Sequence, residues 1–297
     1  MHKTKTTLRN ELIGWLLCAP ALVVFAIFFV APMLVALYLS FFKWDGTSPE
    51  ILFIGLQNYA DILLGSRFWN AIYVTLVALA LMLVKLPIAL LLAAGLARPT
   101  MINAALRTSY FIPHMLAATT AAVIWILLLD PYQGLINNAL QLVGLSDWQR
   151  GWLGDPATAL PAAMVAALWW TFGIYVVLYG AAIPRIPADY YDVVRLESRL
   201  RWHSFRHVTL PFLREQIFVS FVMTVGGIFG TLTGFLLLLT QGGPSGRTET
   251  VGLMSVSLAF RALDFGRASA VSLIMLVIVF AVIIVPTIRI AKKSVEF

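Results

Sequence analysis

Long apolar runs, separated by short polar stretches, divide the chain into pieces of membrane-spanning length. The hydrocarbon core of a bilayer, about 30 Å thick, requires roughly 20 helical residues. Runs of that length, nearly free of charge, are residues 12–42, 69–97, 108–129, 156–184, 216–246 and 268–288. Continuous runs favour helices over the alternating strands of a membrane barrel. The pattern therefore predicts an all-α, polytopic membrane protein with six transmembrane helices in one domain, residues 1–297.

The first run follows Lys3, Lys5 and Arg9, as the apolar segment of a signal peptide would. However, it is too long for a cleaved segment and lacks a small-residue cleavage site. We therefore expect an uncleaved first span.

Composition excludes several classes of protein. Of the 297 residues, 60% are hydrophobic and 12% are charged, whereas a soluble domain carries about a quarter charged residues. The single cysteine, Cys18, rules out an intrachain disulfide. An ordinary soluble enzyme, a disordered chain and a disulfide scaffold are excluded.

The net charge of +7 is distributed unevenly along the chain. If the spans alternate in direction, most Lys and Arg residues fall in the two termini and in loops two and four. Fewer fall in loops one, three and five: Lys43, Arg67, Arg150, Arg247, Arg261 and Arg267. Because basic loops are retained on the cytoplasmic side, both termini are predicted to be cytoplasmic, in a bacterial-type inner membrane. Loop three, residues 130–155, is predicted to contain a short amphipathic interfacial helix.

The most polar part of the chain is residues 186–214, called here the charged segment. Asp189 suits the first turn of a helix. At 100° per residue, the helix has an apolar side and a charged side. The apolar side comprises Tyr190, Val193, Val194, Leu196 and Leu200, and the charged side comprises Asp192, Arg195 and Arg199. This pattern predicts a short amphipathic helix. On physical grounds alone, it could lie on lipid headgroups or dock on a partner protein.

The charged segment resembles the EAA loop of ATP-binding-cassette (ABC) importer permeases of the sugar type. The matching residues are Ile186, Pro187, Tyr191, Trp202, Phe205, Arg206, Thr209, Leu210 and Pro211. Departures occur at Val193 and Val194, where the family has alanines, and at Ser198 and Arg199, where it has glycine and alanine.

The resemblance extends over nearly the whole chain. "APALVVFAIFFVAPMLVALYLSFFKWDG", "FIGLQNYADIL", "LRTSYFIPHMLAATTAAVIWILLLDPYQGLIN" and "LTQGGPSGRTETVGLMSVSLAFRALDFGRASAVSLIMLVI" are similar, in order, to segments of these permeases. Thr233 and Gly234 stand where many relatives carry Phe-Asp. Substrate contacts therefore cannot be transferred to these two positions.

The resemblance implies that the charged segment docks on a dimeric ABC ATPase. The residues implied in coupling are Asp189, Asp192, Arg195, Glu197, Ser198, Arg199, Trp202 and Phe205. The chain has no phosphate-loop motif. ATP and Mg²⁺ are therefore expected on the ATPase, with no cofactor and no enzyme activity in this chain. A second homologous permease and an extracytoplasmic binding protein that delivers a carbohydrate are the other implied partners. A polyol or glycerol phosphate remains an alternative substrate.

Other classes of function have weaker support. A secondary transporter or channel needs paired ionisable groups within the membrane, and only Lys85 is available. Lys85 could pack against a backbone carbonyl freed by Pro87, or it could contact an anion. A membrane enzyme would need a nucleophile, a metal site or paired acids. His203 and His207 lack an H-E-x-x-H pattern, and the short basic stretch does not indicate nucleic acid.

Carbohydrate recognition typically combines aromatic rings with a few hydrogen-bonding groups in an apolar cavity. The fourth and fifth spans contain such residues, although the glycines also suit close helix packing. The predicted substrate path comprises Trp169, Trp170, Tyr175, Gly230, Thr231 and Thr233.

The predicted topology can be tested by cysteine labelling in a Cys18→Ser background. Single cysteines at Ser48, Ser146 and Ser245 should react with an impermeant thiol reagent in whole cells, because their loops are expected outside. A cysteine at Ser204 should react only after lysis. Labelling of Ser204→Cys in intact cells would contradict the orientation.

Overall fold

The computed structural model describes residues 5–98, 100–197 and 200–294, with side chains except at 5–12, 195, 197 and 285–294. Nearly all regular structure is helical. The helices are α1 Lys5–Phe25, α2 Ala31–Leu39, α3 Gln57–Leu64, α4 Ser66–Gly95, α5 Met101–Met115, α6 Ala118–Leu128, α7 Leu135–Leu142, α8 Ala159–Ala182, α9 Ala188–Glu197, α10 Arg201–Ser204, α11 Leu210–Phe212, α12 Arg214–Phe229, α13 Thr231–Leu239, α14 Val251–Phe260 and α15 Phe265–Ser294. Two short strands, β1 Phe42–Lys43 and β2 Leu52–Phe53, pair antiparallel.

The helices confirm the predicted all-α membrane fold. Within the described residues, four segments are long and apolar enough to cross a bilayer: Ile13–Leu39, Ser66–Gly95, Ala159–Arg185 and Phe265–Ile284. Two bent helix pairs bring the number of candidate spans to six if each pair counts as one. The pairs are Met101–Met115 with Ala118–Leu128, and Arg201–Phe212 with Arg214–Phe229. In the first span, a π-helical turn at Ala26–Val30 joins α1 to α2.

The third apolar run is not the single straight helix that its hydropathy predicts. It divides into α5 and α6, which meet at an angle of 96°. Leu116 and Ala117 adopt extended conformations, with ψ of 142° and 147°. Pro113, near the end of α5, has no N–H to donate to the preceding turn. The absence of charge in this run favours a single span, whereas Pro113 is a local signal of the bend.

The fifth run also differs from a continuous helix. α12 ends at Phe229, and α13 begins at Thr231 after Gly230, whose ψ is −78°. Helix α13 then ends at Leu239, before the predicted boundary. The next stretch forms a separate short helix, α14, which sequence analysis did not predict.

The chain divides into two compact units. The first comprises Met1–Leu64 and Ser255–Leu276. In it, the Asn58 Nδ2 group donates to the carbonyls of Ser40 and Phe42, each at 2.9 Å, and so joins α3 to β1. Arg267 and Asp61 form an ion pair at 2.6 Å.

The second unit comprises Gly65–Met254 and Val277–Phe297. Here α4 packs against α8 and α12, α5 packs against α8, and α6 packs against α13. Small residues, among them Ala89 and Ala166, are fully buried in its core. This fits the close backbone approach that stabilises membrane helices. A methyl group added at Gly173 in α8 would collide with the Tyr110 carbonyl of α5.

Gly173→Ala should therefore separate α5 from α8. Overpacking of this kind costs about 1–3 kcal/mol, so the purified variant should melt at a lower temperature and express less well. Gly226→Ala is the matched control, because an added methyl group there meets nothing within 4 Å. Equal melting temperatures for the two variants would contradict the proposed close contact.

Candidate functional site

A cavity of about 140 Å³ lies among α4, α5, α8, α12 and α13 in the second unit. Its lining is mainly apolar but contains two basic side chains, a tryptophan, a tyrosine and three threonines. The lining residues are Met82, Lys85, His114, Ala167, Trp170, Thr171, Ile174, Tyr175, Met223, Thr224, Gly227, Ile228, Thr231 and Leu232. None of them is acidic.

Lys85 is the buried cation of the cavity, with only 5% of its surface exposed. Its Nζ donates to the Thr171 hydroxyl at 2.9 Å and lies 4.6 Å from the centre of the Tyr175 ring. The Met82 sulfur, at 3.9 Å, is a weak third contact. Lys85 thus contacts side chains of α8, and the expectation of a backbone carbonyl partner is wrong for the described contacts. A cation over an aromatic face is favourable without any opposite charge.

Trp170 joins the cavity wall to the bend between α5 and α6. Its indole Nε1 donates to the Leu116 carbonyl at 3.0 Å. The ring stacks on Phe235 at a centroid distance of 5.3 Å. Because the helix break leaves the Leu116 carbonyl outside regular helical bonding, the indole supplies the donor that an apolar environment lacks.

His114 reaches the same cavity from α5. Its ring centre is 6.3 Å from that of Trp170, and its buried Nδ1 atom has no hydrogen-bond partner among the described residues. Such a group is costly to leave unpaired.

The predicted substrate-path residues divide into two groups. Trp170, Tyr175 and Thr231 line the cavity. Trp169, 38% exposed, instead contacts Trp125 edge to face at 5.9 Å. Thr233 is buried and donates to the Ile228 carbonyl at 3.3 Å, and Gly230 forms the break between α12 and α13. The last three do not line the cavity.

The structure also assigns cavity residues that sequence analysis did not select. Thr171 lies about one helical turn before Tyr175, and Thr224 lies about two turns before Thr231 in sequence. Neither threonine has a distinctive local pattern. Thr224 donates to the Tyr175 hydroxyl at 2.9 Å, while Thr171 donates to the Ala167 carbonyl at 2.7 Å. Only the crossing of α8 and α12 brings Thr224 and Tyr175 together.

The charged segment begins with the predicted helix, α9, which has Asp189 in its first turn. The side chains of Tyr191 and Val194 pack on the buried cluster that contains Tyr175 and Val176 of α8. The Tyr191 hydroxyl also lies 3.0 Å from the Thr209 hydroxyl. These contacts fix α9 on the membrane helices.

Another face of α9 is apolar and exposed, and Val194, which was predicted to lie on it, packs toward the core instead. Tyr190, Val193 and Leu196 are 52%, 62% and 89% exposed. Farther on, Trp202 is also exposed, and it stacks on the half-buried Phe205 at 5.3 Å. Asp189 and Asp192 are exposed as well. The side chains of Arg195 and Glu197 and the whole of Ser198 and Arg199 lie outside the described residues.

The loop between α13 and α14, called here loop five, is hydrogen-bonded to the first part of α4. The sequence pattern did not predict this contact. Arg67 forms two hydrogen bonds with Glu249, at 2.6 and 2.9 Å. Asn70 Nδ2 donates to the Gly246 carbonyl at 3.0 Å, and the Thr75 hydroxyl accepts from the Val251 N–H at 2.9 Å. The partners are about 180 residues apart, so no local pattern indicates them.

The geometry suits binding rather than bond-breaking chemistry. Among the described residues, no group of three or more His, Cys, Asp or Glu side chains could hold a metal ion. His203 and His207 stack at 4.1 Å on the charged segment. The cavity offers ring faces, hydroxyl groups and basic nitrogens.

Curated proteins similar to this chain include several permeases. The chain is 32% identical over 92% of its length to a probable ABC transporter permease protein, YurN, of Bacillus subtilis, covering 94% of that protein. It is 27% identical, over all of both chains, to a probable starch degradation products transport system permease protein of Thermoanaerobacterium thermosulfurigenes. A trehalose/maltose transport system permease protein of Thermococcus litoralis is 28% identical over 95% of each chain. No family profile matches the chain.

Solved structures share the fold. One is a bacterial ABC transporter involved in the import of the acidic polysaccharide alginate, with a TM-score of 0.81 and 21% identity, covering 97% of this chain and 98% of that one. A second is a bacterial alginate ABC transporter in complex with a periplasmic protein that holds an alginate pentasaccharide, with a TM-score of 0.80 and coverage of 95% of each chain. At 21% identity, this likeness concerns the fold alone.

Proposed function

The chain belongs to the ABC transporter permease proteins, and on that premise we propose that it is a permease subunit of a carbohydrate importer. The observation that carries the proposal is similarity over nearly the full length to permeases named for starch products, trehalose/maltose and multiple sugars. The chain is not itself an enzyme. With a second homologous permease, it would form the membrane path for a mono- or oligosaccharide.

The cavity supports this proposal because its chemistry suits a sugar. Trp170 and Tyr175 present aromatic rings, and Thr171, Thr224 and Thr231 present hydroxyl groups in an otherwise apolar wall. Its volume, about 140 Å³, is below the roughly 300–1,000 Å³ of typical ligand pockets. In this conformation, therefore, only one end of a substrate would enter.

The exposed face of α9 supports docking on an ABC ATPase. Tyr191 and Val194 hold the helix on the membrane core, while Val193 and Leu196 extend an apolar surface outward. A helix that packs on the spans with one face and exposes an apolar face to a partner can transmit a displacement of that partner to the spans. ATP and Mg²⁺ would be bound by that partner in the cytoplasm. Both termini of this chain would lie on the same side of the membrane as the ATPase.

Reconstitution tests the proposed function directly. Proteoliposomes containing this chain, the second permease, the ATPase and the binding protein should accumulate radiolabelled sugars from a panel of glucose, maltose and glucuronate, and only with ATP. This chain alone should hydrolyse no ATP. Uptake driven by a sodium or proton gradient without ATP would instead indicate a secondary transporter, and uptake of glycerol 3-phosphate but no sugar would favour the alternative substrate.

Charge reversal on α9 tests the coupling role. Asp192→Arg and Glu197→Arg should reduce uptake by about tenfold or more, equivalent to roughly 1.4 kcal/mol of docking free energy, while the complex still inserts and the ATPase still hydrolyses ATP. The matched control is Asp147→Arg, an equally drastic change at an exposed position of loop three. Wild-type uptake by both α9 variants would mean that the segment is only a solvated connection.

A further inference from the structure

We propose that the cavity around Lys85 binds an anionic group of the transported molecule, so that the substrate is an acidic sugar bearing a carboxylate or a phosphate. This inference rests on the proposed function and narrows its substrate class. It is carried by the position, the partners and the surroundings of Lys85.

Lys85 occupies a position where a charge needs compensation. It lies 19 residues into the 30-residue helix α4, inside an apolar span, and is 95% buried. A cation within a membrane segment is costly and usually pairs with an acid, a backbone carbonyl or a functional ligand. Among the described residues, Lys85 forms no ion pair with Asp or Glu.

The contacts that Lys85 does make leave it able to bind more. An ammonium group has three N–H donors. One goes to the Thr171 hydroxyl, and the Met82 sulfur at 3.9 Å is a weak acceptor. The Tyr175 ring supplies a diffuse negative face rather than a charge. A purely structural lysine would be expected to have a fixed carboxylate or carbonyl here, and the described contacts include neither.

A second basic side chain lines the same cavity. The buried Nδ1 of His114 has no hydrogen-bond partner among the described residues. None of the fourteen lining residues carries a negative charge. An incoming carboxylate or phosphate has several acceptor oxygens, and it would compensate the lysine charge while offering an acceptor to the histidine ring.

The aromatic and hydroxyl groups around Lys85 suit the rest of a sugar unit. Trp170 presents a ring wall, and Thr171 and Thr224 present hydroxyl groups. A neutral sugar could use these groups but would leave the Lys85 charge uncompensated. The site should therefore discriminate between acidic and neutral sugars of the same size.

Equilibrium binding measures this discrimination without reference to the binding protein. The complete permease–ATPase complex in nanodiscs is titrated with glucuronate, glucose 6-phosphate and glucose, and binding is followed by saturation-transfer NMR. We expect at least one of the two acids to bind about tenfold or more tightly than glucose, because a desolvated charge pair is stronger than a neutral hydrogen bond. The two acids distinguish a carboxylate from a phosphate as the recognised group.

Substitutions then assign the preference to Lys85. Lys85→Met should abolish the preference, so that neither acid binds more tightly than glucose, and Lys85→Arg should retain it. Lys43→Met removes an equivalent charge from an exposed position and should change nothing. If Lys85→Met does not assemble, the wild-type titration alone still decides the question.

Two results would overturn the inference: equal binding of acidic and neutral sugars by the wild type, or a preference that survives in Lys85→Met. Both would mean that Lys85 only joins α4 to α8. Neither would affect the proposed function if neutral sugars are still taken up with ATP. The proposed function fails separately, when reconstituted vesicles accumulate no sugar at all.

Discussion

The structure depends on one constraint: hydrocarbon offers no hydrogen bonds to backbone groups, so each departure from helix needs a partner within the protein. The break at Leu116 meets this requirement through the indole of Trp170, and the break at Gly230 is flanked by the Thr233 hydroxyl on the Ile228 carbonyl. Both irregularities border the same cavity, which is lined by His114 and Thr231 on either side. The two breaks thus place polar side chains around one cavity.

The charged segment and the cavity are connected through one buried cluster. Tyr191 and Val194 of α9 pack on the cluster that includes Tyr175, whose ring contacts Lys85 in the cavity. Close-packed interiors transmit displacements because they contain little free volume. A movement of α9 would therefore reach the cavity wall through side-chain contacts alone. The proposed coupling to an ATPase subunit would use such a path.

Sequence patterns predicted the elements better than their partners. Continuous apolar runs identified the spans, and the 100° periodicity identified α9, because both depend on local composition. The bend at Leu116 could not be predicted from charge or hydropathy, since residues 108–129 form one uncharged run, and Pro113 lies within α5 rather than at the break. The position of loop five could not be predicted either, because it depends on the ion pair between Arg67 and Glu249, which are far apart in sequence. Likewise, Trp169 and Trp170 are indistinguishable in sequence, and a rotation of 100° along α8 places only Trp170 in the cavity.

The hydrogen bonds already formed within the cavity would limit how strongly it binds the proposed substrate. Thr171, Thr224 and the Trp170 indole already donate to acceptors of the protein. A sugar hydroxyl can accept from these groups only by displacing an existing bond. The net gain in binding free energy is therefore smaller than the roughly 0.5–1.5 kcal/mol of a new hydrogen bond. Neutral contacts of this kind favour release, as a transport path needs. Lys85 and His114 differ, since each has donor or acceptor capacity that no described residue uses. If the cavity binds the substrate as proposed, its selectivity would depend on these two side chains rather than on the more numerous hydroxyl groups.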